Sequence, residues 1–145
     1  AWTLPGAVGA SFIKDNSGKI NTKPVLAVMG DGSFMMNVQE IETAVRVGSR
    51  MVVLVWEDNA YGLIKWKMDL HAGEHEYVDF TNPNVPKLAE SFGARGHVVQ
   101  KPEDLYNMLK EALEQESGVD VIACPVDYSE NMKLIEKLGD IDFGN

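Results

Sequence analysis

The sequence predicts an α/β fold, a three-layer sandwich with a mainly parallel sheet, and three observations support this. Short apolar runs rich in β-branched residues alternate with segments of helical period. The runs at 24–29 and 51–56 do not alternate polar with apolar residues, which favours strands that are covered on both faces, and the run at 119–126 reads as a third strong strand. The segment between the first two runs has the length of a helical crossover, and such a crossover joins parallel strands.

The N-terminal half contains a helix and one complete strand–helix–strand unit. Residues 4–13 are mostly apolar, with Pro5 in the first turn, where a helix tolerates proline. In residues 34–47 the apolar side chains recur at helical spacing. We therefore expect helices over both segments and strands at 24–29 and 51–56.

The C-terminal half continues the alternation. Residues 60–66 are expected to form a short helix, and the polar segment 69–81 a mobile loop. Asn82 followed by Pro83 predicts a helix N-cap and a first helical residue, and Gly93 predicts the end of that helix. The remaining elements are a strand at 96–99, a helix that opens at 102–104, a strand at 119–126 and a final helix at 130–138.

The bulk composition excludes several classes of function. A chain of 145 residues has room for one domain, and a formal net charge of −9 argues against nucleic acid and against a polybasic membrane contact. No apolar run approaches the length of a membrane span. The single cysteine, Cys124, excludes an intrachain disulfide and is expected to be an apolar core residue. Without a leading basic segment or a starting Met, we expect a cytoplasmic piece of a longer protein.

The most informative stretch is Gly30-Asp31-Gly32, which lies between a strand and a helix. Asp31 comes two residues after the first strand, and Asp58 comes two residues after the second. Ligands of open parallel sheets bind outside the carboxyl ends of the strands, so both carboxylates are expected on the same rim. Two oxygen ligands with room for water and a diphosphate suit Mg²⁺.

The two glycines of this stretch are expected to let the backbone approach a phosphate closely and to adopt positive φ. The amides of Gly32, Ser33 and Phe34 would open the helix and point at the anion, and the Ser33 hydroxyl would add a hydrogen bond.

A hairpin turn is the alternative explanation of the stretch, because Asp-Gly is typical of such turns. A hairpin needs a second strand, whereas residues 34–47 have helical period. The joint pattern of strand, Gly-Asp-Gly, helix, strand and Glu57-Asp58-Asn59 therefore favours a metal–diphosphate site.

This pattern resembles the thiamine diphosphate signature, in which Gly-Asp-Gly is followed some two dozen residues later by Asn-Asn or Asp-Asn. Here it reads GDGSFMMNVQEIETAVRVGSRMVVLVWEDNAYG. The stretches LPGAVGA, DFTNPNVPKLAESFGARGHVV and CPVDYSENMKL are similar to the acetolactate synthase branch, the last most of all to its catabolic members. The resemblance covers nearly the whole chain. It implies a thiamine diphosphate-binding fold, with residues 1–145 as a single C-terminal cofactor domain of an enzyme several times longer.

The resemblance also implies the residues of the site. Asp31 and Asp58 would be side-chain ligands of Mg²⁺, and Ala60 would give its backbone carbonyl. Many members have Asn at the position of Asp58 and Gly at the position of Ala60. Leu63 and Trp66 resemble substrate-pocket positions, although catabolic members often lack the Trp. The residues expected to contact the cofactor are Gly30, Asp31, Gly32, Ser33, Phe34, Asn59, Ala60, Tyr61, Gly62 and Leu63.

The implied reaction condenses two pyruvates to 2-acetolactate and CO₂. In the family an activating glutamate comes from the N-terminal domain of a partner subunit, so no catalytic residue is assigned here and the chain alone is expected to be inactive. A homodimer or homotetramer is expected, while the FAD requirement, the catabolic or biosynthetic role and a regulatory subunit stay open. The alternatives are another thiamine diphosphate-dependent 2-oxoacid decarboxylase or oxidase, and a non-catalytic binding module.

Other residues near the expected site are given ordinary roles. His71 and His75 are expected in a loop rather than on a metal-binding helix face. Met35 and Met36 are expected to serve packing. An apolar rim near these methionines and Leu63 predicts self-association of the chain.

Overall fold

A four-stranded parallel sheet lies between two helical layers in the computed structural model, which describes residues 2–14, 17–20, 23–131 and 133. The strands follow the order β1-β2-β4-β3, and all three neighbouring pairs are parallel. The strands are β1 (Val25–Gly30), β2 (Met51–Glu57), β3 (Arg95–Val98) and β4 (Val119–Pro125). The helices are α1 (Thr3–Ala10), α2 (Asp31–Met35), α3 (Glu40–Arg46), α4 (Gly62–Ala72), α5 (Val85–Ser91) and α6 (Asp104–Glu114). The expected α/β class is confirmed.

The two faces of the sheet carry separate hydrophobic cores. On one face, residues of α1, α3 and α5 pack against alternate residues of the strands, among them Val53 and Val121. On the other face, α6 packs against the intervening residues, among them Leu54 and Ile122. Because β2 and β4 contribute to both cores, their sequences are apolar without alternation. The three-layer arrangement is therefore confirmed.

Strand β1 is covered on one face only. Leu26 and Val28 are 42% and 44% exposed, so the expectation that both faces of this strand are covered is wrong. The reason is position: β1 lies at the edge of the sheet, and α6 contacts β2 and β4 instead.

The helix expected over residues 34–47 is two helices. The chain becomes helical at Asp31, and α2 ends at Met35 before a turn leads into α3. In this turn the amide of Glu40 donates to the carbonyl of Asn37, three residues back, so the spacing is tighter than in an α-helix. The core-facing pattern survives because Ile41 of α3 is fully buried.

Helix α4 is longer than expected, and the predicted loop is correspondingly shorter. It ends at Gly73, whose φ of 78° closes the helix in the left-handed region. His71 therefore lies in the last turn of α4, while His75 follows the helix and its Nδ1 lies 2.6 Å from Oδ1 of Asp69. In the described part of the chain, no helix is long and apolar enough to cross a membrane.

Helix α5 is capped by Asn84 and not by Asn82. The Asn84 side chain accepts a hydrogen bond of 2.9 Å from the amide of Lys87, and Pro86 stands in the first turn. The helix ends before Gly93, as expected, and Gly93 has a φ of 87°. The final helix expected at 130–138 falls largely on residues 132 and 134–138, which lie outside the described residues.

A buried carboxylate ties β3 to β4 at the end of the sheet where β4 begins. Asp120, with a side chain 3% exposed, accepts two hydrogen bonds from Arg95, from Nε at 2.8 Å and from Nη2 at 2.6 Å. His97 Nε2 lies 2.8 Å from the same carboxylate, which fits a structural role for this histidine.

Replacing Asp120 with Ala should destabilise the domain by about 1–3 kcal/mol, because it removes the acceptor for both partners. Arg95 and His97 are partly exposed and can regain water, which keeps the loss below that of a fully buried pair. Thermal melting of the protein measures the change. The control is Asp104→Ala in the exposed first turn of α6, and equal midpoints for the two variants would contradict the expectation.

Candidate functional site

Two consecutive strands end side by side at one edge of the sheet. Gly30 of β1 pairs in register with Trp56 of β2, so Asp31 and Asp58 follow neighbouring strand ends. The amides of Asp58 and Asn59 donate to Oδ2 of Asp31 at 3.2 and 2.9 Å. The structure therefore brings the two acidic segments together on one rim, as the sequence predicts.

Asp31 is the most constrained side chain of this rim. It is 1% exposed. Its Oδ1 accepts from the amide of Gly32 at 2.8 Å, and its Oδ2 accepts from Nδ2 of Asn82 at 2.5 Å in addition to the two amides of the second segment. Asn59 has a φ of 57°, in the left-handed region that asparagine tolerates, and this turn aims two consecutive amides at one oxygen.

The rim carries an excess of negative charge. Burial, and then the charge of Asp31, raise the pKa of both Glu57 and Asp58. Burial, followed by the charges of Asp58 and Asp31, also raises the pKa of the Tyr128 hydroxyl. Burial is the larger cause of each shift; the neighbouring negative charge adds to it, and a bound cation would neutralise that charge.

The available ligands suit a hard cation that keeps water or phosphate oxygens. Among the described residues, no three His, Cys, Asp or Glu side chains lie together so as to hold a metal by themselves. Among the described residues, Oδ1 of Asp31 accepts one hydrogen bond, from the amide of Gly32. This leaves a lone pair of Oδ1 for a cation. A site with one or two carboxylates and further oxygen ligands is typical of Mg²⁺.

The glycines of the Gly-Asp-Gly stretch do not have positive φ, so that expectation is wrong. Gly30 is extended, with φ of −77°, and Gly32 lies within α2. Glycine is needed at position 32 for another reason: a Cβ there would lie 2.9 Å from the Tyr61 ring. At Gly30 a Cβ would meet no atom within 4 Å, so this side of the backbone is open to a ligand.

An open groove lies beside this stretch. Tyr61 and Phe80 form one wall, with ring centroids 5.0 Å apart. Met35 and Met36, expected to serve packing, line the groove instead and are partly exposed. The complete lining is Gly32, Met35, Met36, Tyr61, Phe80, Thr81 and Pro83.

Comparison with known proteins identifies the family. Residues 1–124 match the family described as thiamine pyrophosphate enzyme, C-terminal TPP binding domain. The chain belongs to this family. Its cofactor is therefore thiamine pyrophosphate, which is the same compound as thiamine diphosphate.

The relatives of this TPP binding domain include acetolactate synthases. This chain is 37% identical over 141 residues to the acetolactate synthase of Bacillus subtilis (strain 168). The match covers 97% of this chain and 24% of the relative. It is 33% identical to the catabolic acetolactate synthase of Raoultella terrigena, over 93% of this chain and 23% of the relative. The chain thus spans about a quarter of the length of these relatives.

A solved structure supports the fold. The benzoylformate decarboxylase of Polynucleobacter necessarius superposes with a TM-score of 0.75 at 29% identity, over 85% of this chain and 23% of that chain.

The expected site residues of the TPP binding domain do not all present side chains to the groove. Phe34 is fully buried, so only its backbone can face a ligand, and Ser33 is half-buried. Leu63 is 64% exposed and Trp66 is half-buried on α4; neither lines the groove. The expected metal ligands Asp31, Asp58 and Ala60 lie within one short stretch of the rim, and Ala60 is buried beside its bridge partner Asp79.

Asn82 is a site residue that the sequence analysis missed. Its side chain reaches Asp31 across 51 positions of the chain. An asparagine that precedes a proline is typical of a helix start, and this local signal hid the long-range contact. Phe80 and Thr81 fall within the expected mobile loop, yet they line the groove from the same segment.

Replacing Gly62 with Ala should move Asp58 without unfolding the TPP binding domain. A Cβ at this position would overlap Oδ2 of Asp58, which is the end of a flexible side chain and can swing away. We expect Mg²⁺-dependent binding of thiamine diphosphate to weaken at least about tenfold, since ligand orientation sets metal affinity. Calorimetric titration measures this.

The control for this prediction is Gly9→Ala at an exposed position of α1, where a Cβ meets no atom within 4 Å. Both variants should melt within a few degrees of the wild type. Unchanged cofactor affinity in Gly62→Ala would show that the position of Asp58 does not matter for binding.

Proposed function

We propose that this domain is the cofactor-binding part of an acetolactate synthase that condenses two pyruvates to 2-acetolactate and CO₂. The observation that carries the proposal is the 37% identity, over 97% of the chain, to a relative named acetolactate synthase. The structure supports it because the matched segments build a coherent rim at the carboxyl ends of β1 and β2.

We further propose that this rim holds Mg²⁺ through Asp31, Asp58 and the carbonyl of Ala60. The support is the donor chemistry: the Asp31 carboxylate is buried and has a spare lone pair, and the half-buried Asp58 lies near it, where burial and then the charge of Asp31 raise the pKa of Asp58. The cation would let an acidic rim accept a diphosphate, which these carboxylates would otherwise repel.

The remaining residues of the rim would place the cofactor. Gly30 leaves open space beside its backbone, and the backbone from Gly32 to Phe34 forms the first turn of α2. Tyr61 covers Gly32 and forms part of one wall of the groove. Thiamine diphosphate supplies the carbanion-stabilising chemistry when it is bound, and the protein contributes binding and orientation. The complete set that we assign to the cofactor is Gly30, Asp31, Gly32, Ser33, Phe34, Asn59, Ala60, Tyr61, Gly62 and Leu63.

The rest of the active site is proposed to come from outside this domain. The chain spans about a quarter of its relatives, so N-terminal domains of the same enzyme and a homodimeric or homotetrameric assembly are expected to supply the missing surfaces. The exposed apolar side chains of Met36 and Leu63 fit such an assembly. Leu63 and Trp66 would then line a substrate pocket that forms only against these other parts.

An assay of the complete enzyme tests the proposal. With thiamine diphosphate and Mg²⁺, pyruvate should be converted to acetolactate, and EDTA should abolish the reaction. Benzoylformate is the matched alternative substrate, because a solved structure of a benzoylformate decarboxylase superposes on this chain. Decarboxylation of benzoylformate without acetolactate from pyruvate would support the decarboxylase and contradict the synthase.

A further inference from the structure

The amide group of Asn82 has its orientation fixed by its neighbours. Its Nδ2 lies 2.5 Å from Oδ2 of Asp31 and 3.2 Å from Oδ1 of Asn59. Both neighbours are acceptors, so only the NH₂ group can face them. The opposite atom, Oδ1 of Asn82, is buried and has no hydrogen-bond partner among the described residues. The contact with Asp31 therefore fixes which end of the Asn82 amide faces the rim.

The hydrogen bonds of Asp31 are distributed unequally between its two oxygens. Oδ2 accepts from two backbone amides and from Asn82, whereas Oδ1 accepts from the adjacent Gly32 amide. The three donors occupy the lone pairs of Oδ2, so Oδ1 is the oxygen that remains available to a cation. Asn82 is the side-chain donor of this set, so its loss would leave the carboxylate held by backbone amides alone.

Asn82 is itself held in place by a small antiparallel pairing. The amide of Tyr61 donates to Val78, and the amide of Phe80 donates to Asn59, each at 2.9 Å. This pairing joins the segment before α5 to the segment after β2. Asn82 therefore links a distant part of the chain directly to Asp31.

We propose that Asn82 is a positioning residue that fixes the Asp31 carboxylate for one-oxygen coordination of Mg²⁺. This proposal rests on the metal site of the proposed function. One-oxygen coordination suits the small octahedral Mg²⁺, whereas a carboxylate that can rotate also serves the larger and less exacting Ca²⁺ with two oxygens. Asn82 thereby sets both the affinity of the site and its preference between these ions.

The test is titration of Mg²⁺ and, separately, of Ca²⁺ into the complete enzyme with saturating thiamine diphosphate, followed by intrinsic tryptophan fluorescence. In Asn82→Ala the Kd for Mg²⁺ should rise by about 10–100-fold, as is typical when the partner of a metal ligand is lost. The Kd for Ca²⁺ should rise less, so the ratio of the two constants moves towards Ca²⁺.

The matched control is Asn84→Ala, the same substitution two residues later. It removes the N-cap of α5 and should lower the melting temperature while leaving both ion affinities unchanged. Asn82→Asp is the second variant: its carboxylate faces Asp31 Oδ2 and repels it, so Mg²⁺ should bind more weakly than in Asn82→Ala.

Three results would overturn the inference. They are wild-type affinity in Asn82→Ala, an equal loss for both ions with a drop in melting temperature like that of the control, and tighter Mg²⁺ binding in Asn82→Asp. The proposed metal site fails in a different way, through wild-type binding of thiamine diphosphate that does not depend on a divalent ion, and the inference would fall with it.

Discussion

Asp31→Asn should weaken Mg²⁺-dependent binding of thiamine diphosphate by about a hundredfold or more. The substitution replaces a charged ligand, and it also places an NH₂ group against amides that can only donate. Because the charge of Asp31 helps to raise the pKa of Glu57 and Asp58, both values should fall towards their ordinary range in the variant. Calorimetry measures the binding, and carboxyl NMR measures the two pKa values.

Asp104→Asn in the exposed first turn of α6 is the control, since it removes one negative charge from a residue outside the rim. It should change neither the affinity nor the pKa values of the rim. Retention of metal-dependent binding in Asp31→Asn would remove this residue from the ligand set and with it the proposed magnesium site.

Gly96→Ala should destabilise the domain strongly, because backbone atoms fill the space beside Gly96. A Cβ on Gly96 would overlap the carbonyl oxygen of Pro86 and lie 2.7 Å from its Cα. The obstructing atoms are backbone on both sides, so α5 and β3 must separate, at a cost of about 1–3 kcal/mol and towards the upper end of that range. The melting temperature should fall by about 5–10 °C.

Gly9→Ala provides the contrast for this prediction. The added Cβ meets nothing within 4 Å, and alanine has a higher helix propensity than glycine. That variant should melt at or above the wild-type temperature. A Gly96→Ala protein as stable as wild type would show that α5 can move away from the sheet without loss.

The layers of the fold could be predicted because they depend on local chemistry. The largely apolar runs at β2 and β4 identified buried parallel strands, and the helical spacing of Ile41 and its neighbours identified the layer that covers them. Gly93 marked a helix end correctly, since a residue with positive φ is a local requirement. The rim also followed from chain order, because carboxyl ends of adjacent parallel strands meet at one edge.

The errors arose where distant residues decide the local structure. Asn82 and Asn84 carry the same cap signal, and only the partner of each side chain separates them: Lys87 for one, Asp31 for the other. The exposed face of β1 could not be foreseen because it depends on where α6 lies. Gly32 is required by the ring of Tyr61, a neighbour in space that its own sequence context does not reveal.

The donors to Asp31 have a consequence for the order in which the molecule can acquire its cofactor. They come from residues 32, 58, 59 and 82, so the carboxylate cannot be fully held until a ribosome has made the segment ahead of α5. Closing so long a loop is slow compared with forming a single helix. The carboxylate that we propose as a metal ligand is therefore complete only in the folded domain, and cofactor binding stabilises that folded domain by mass action.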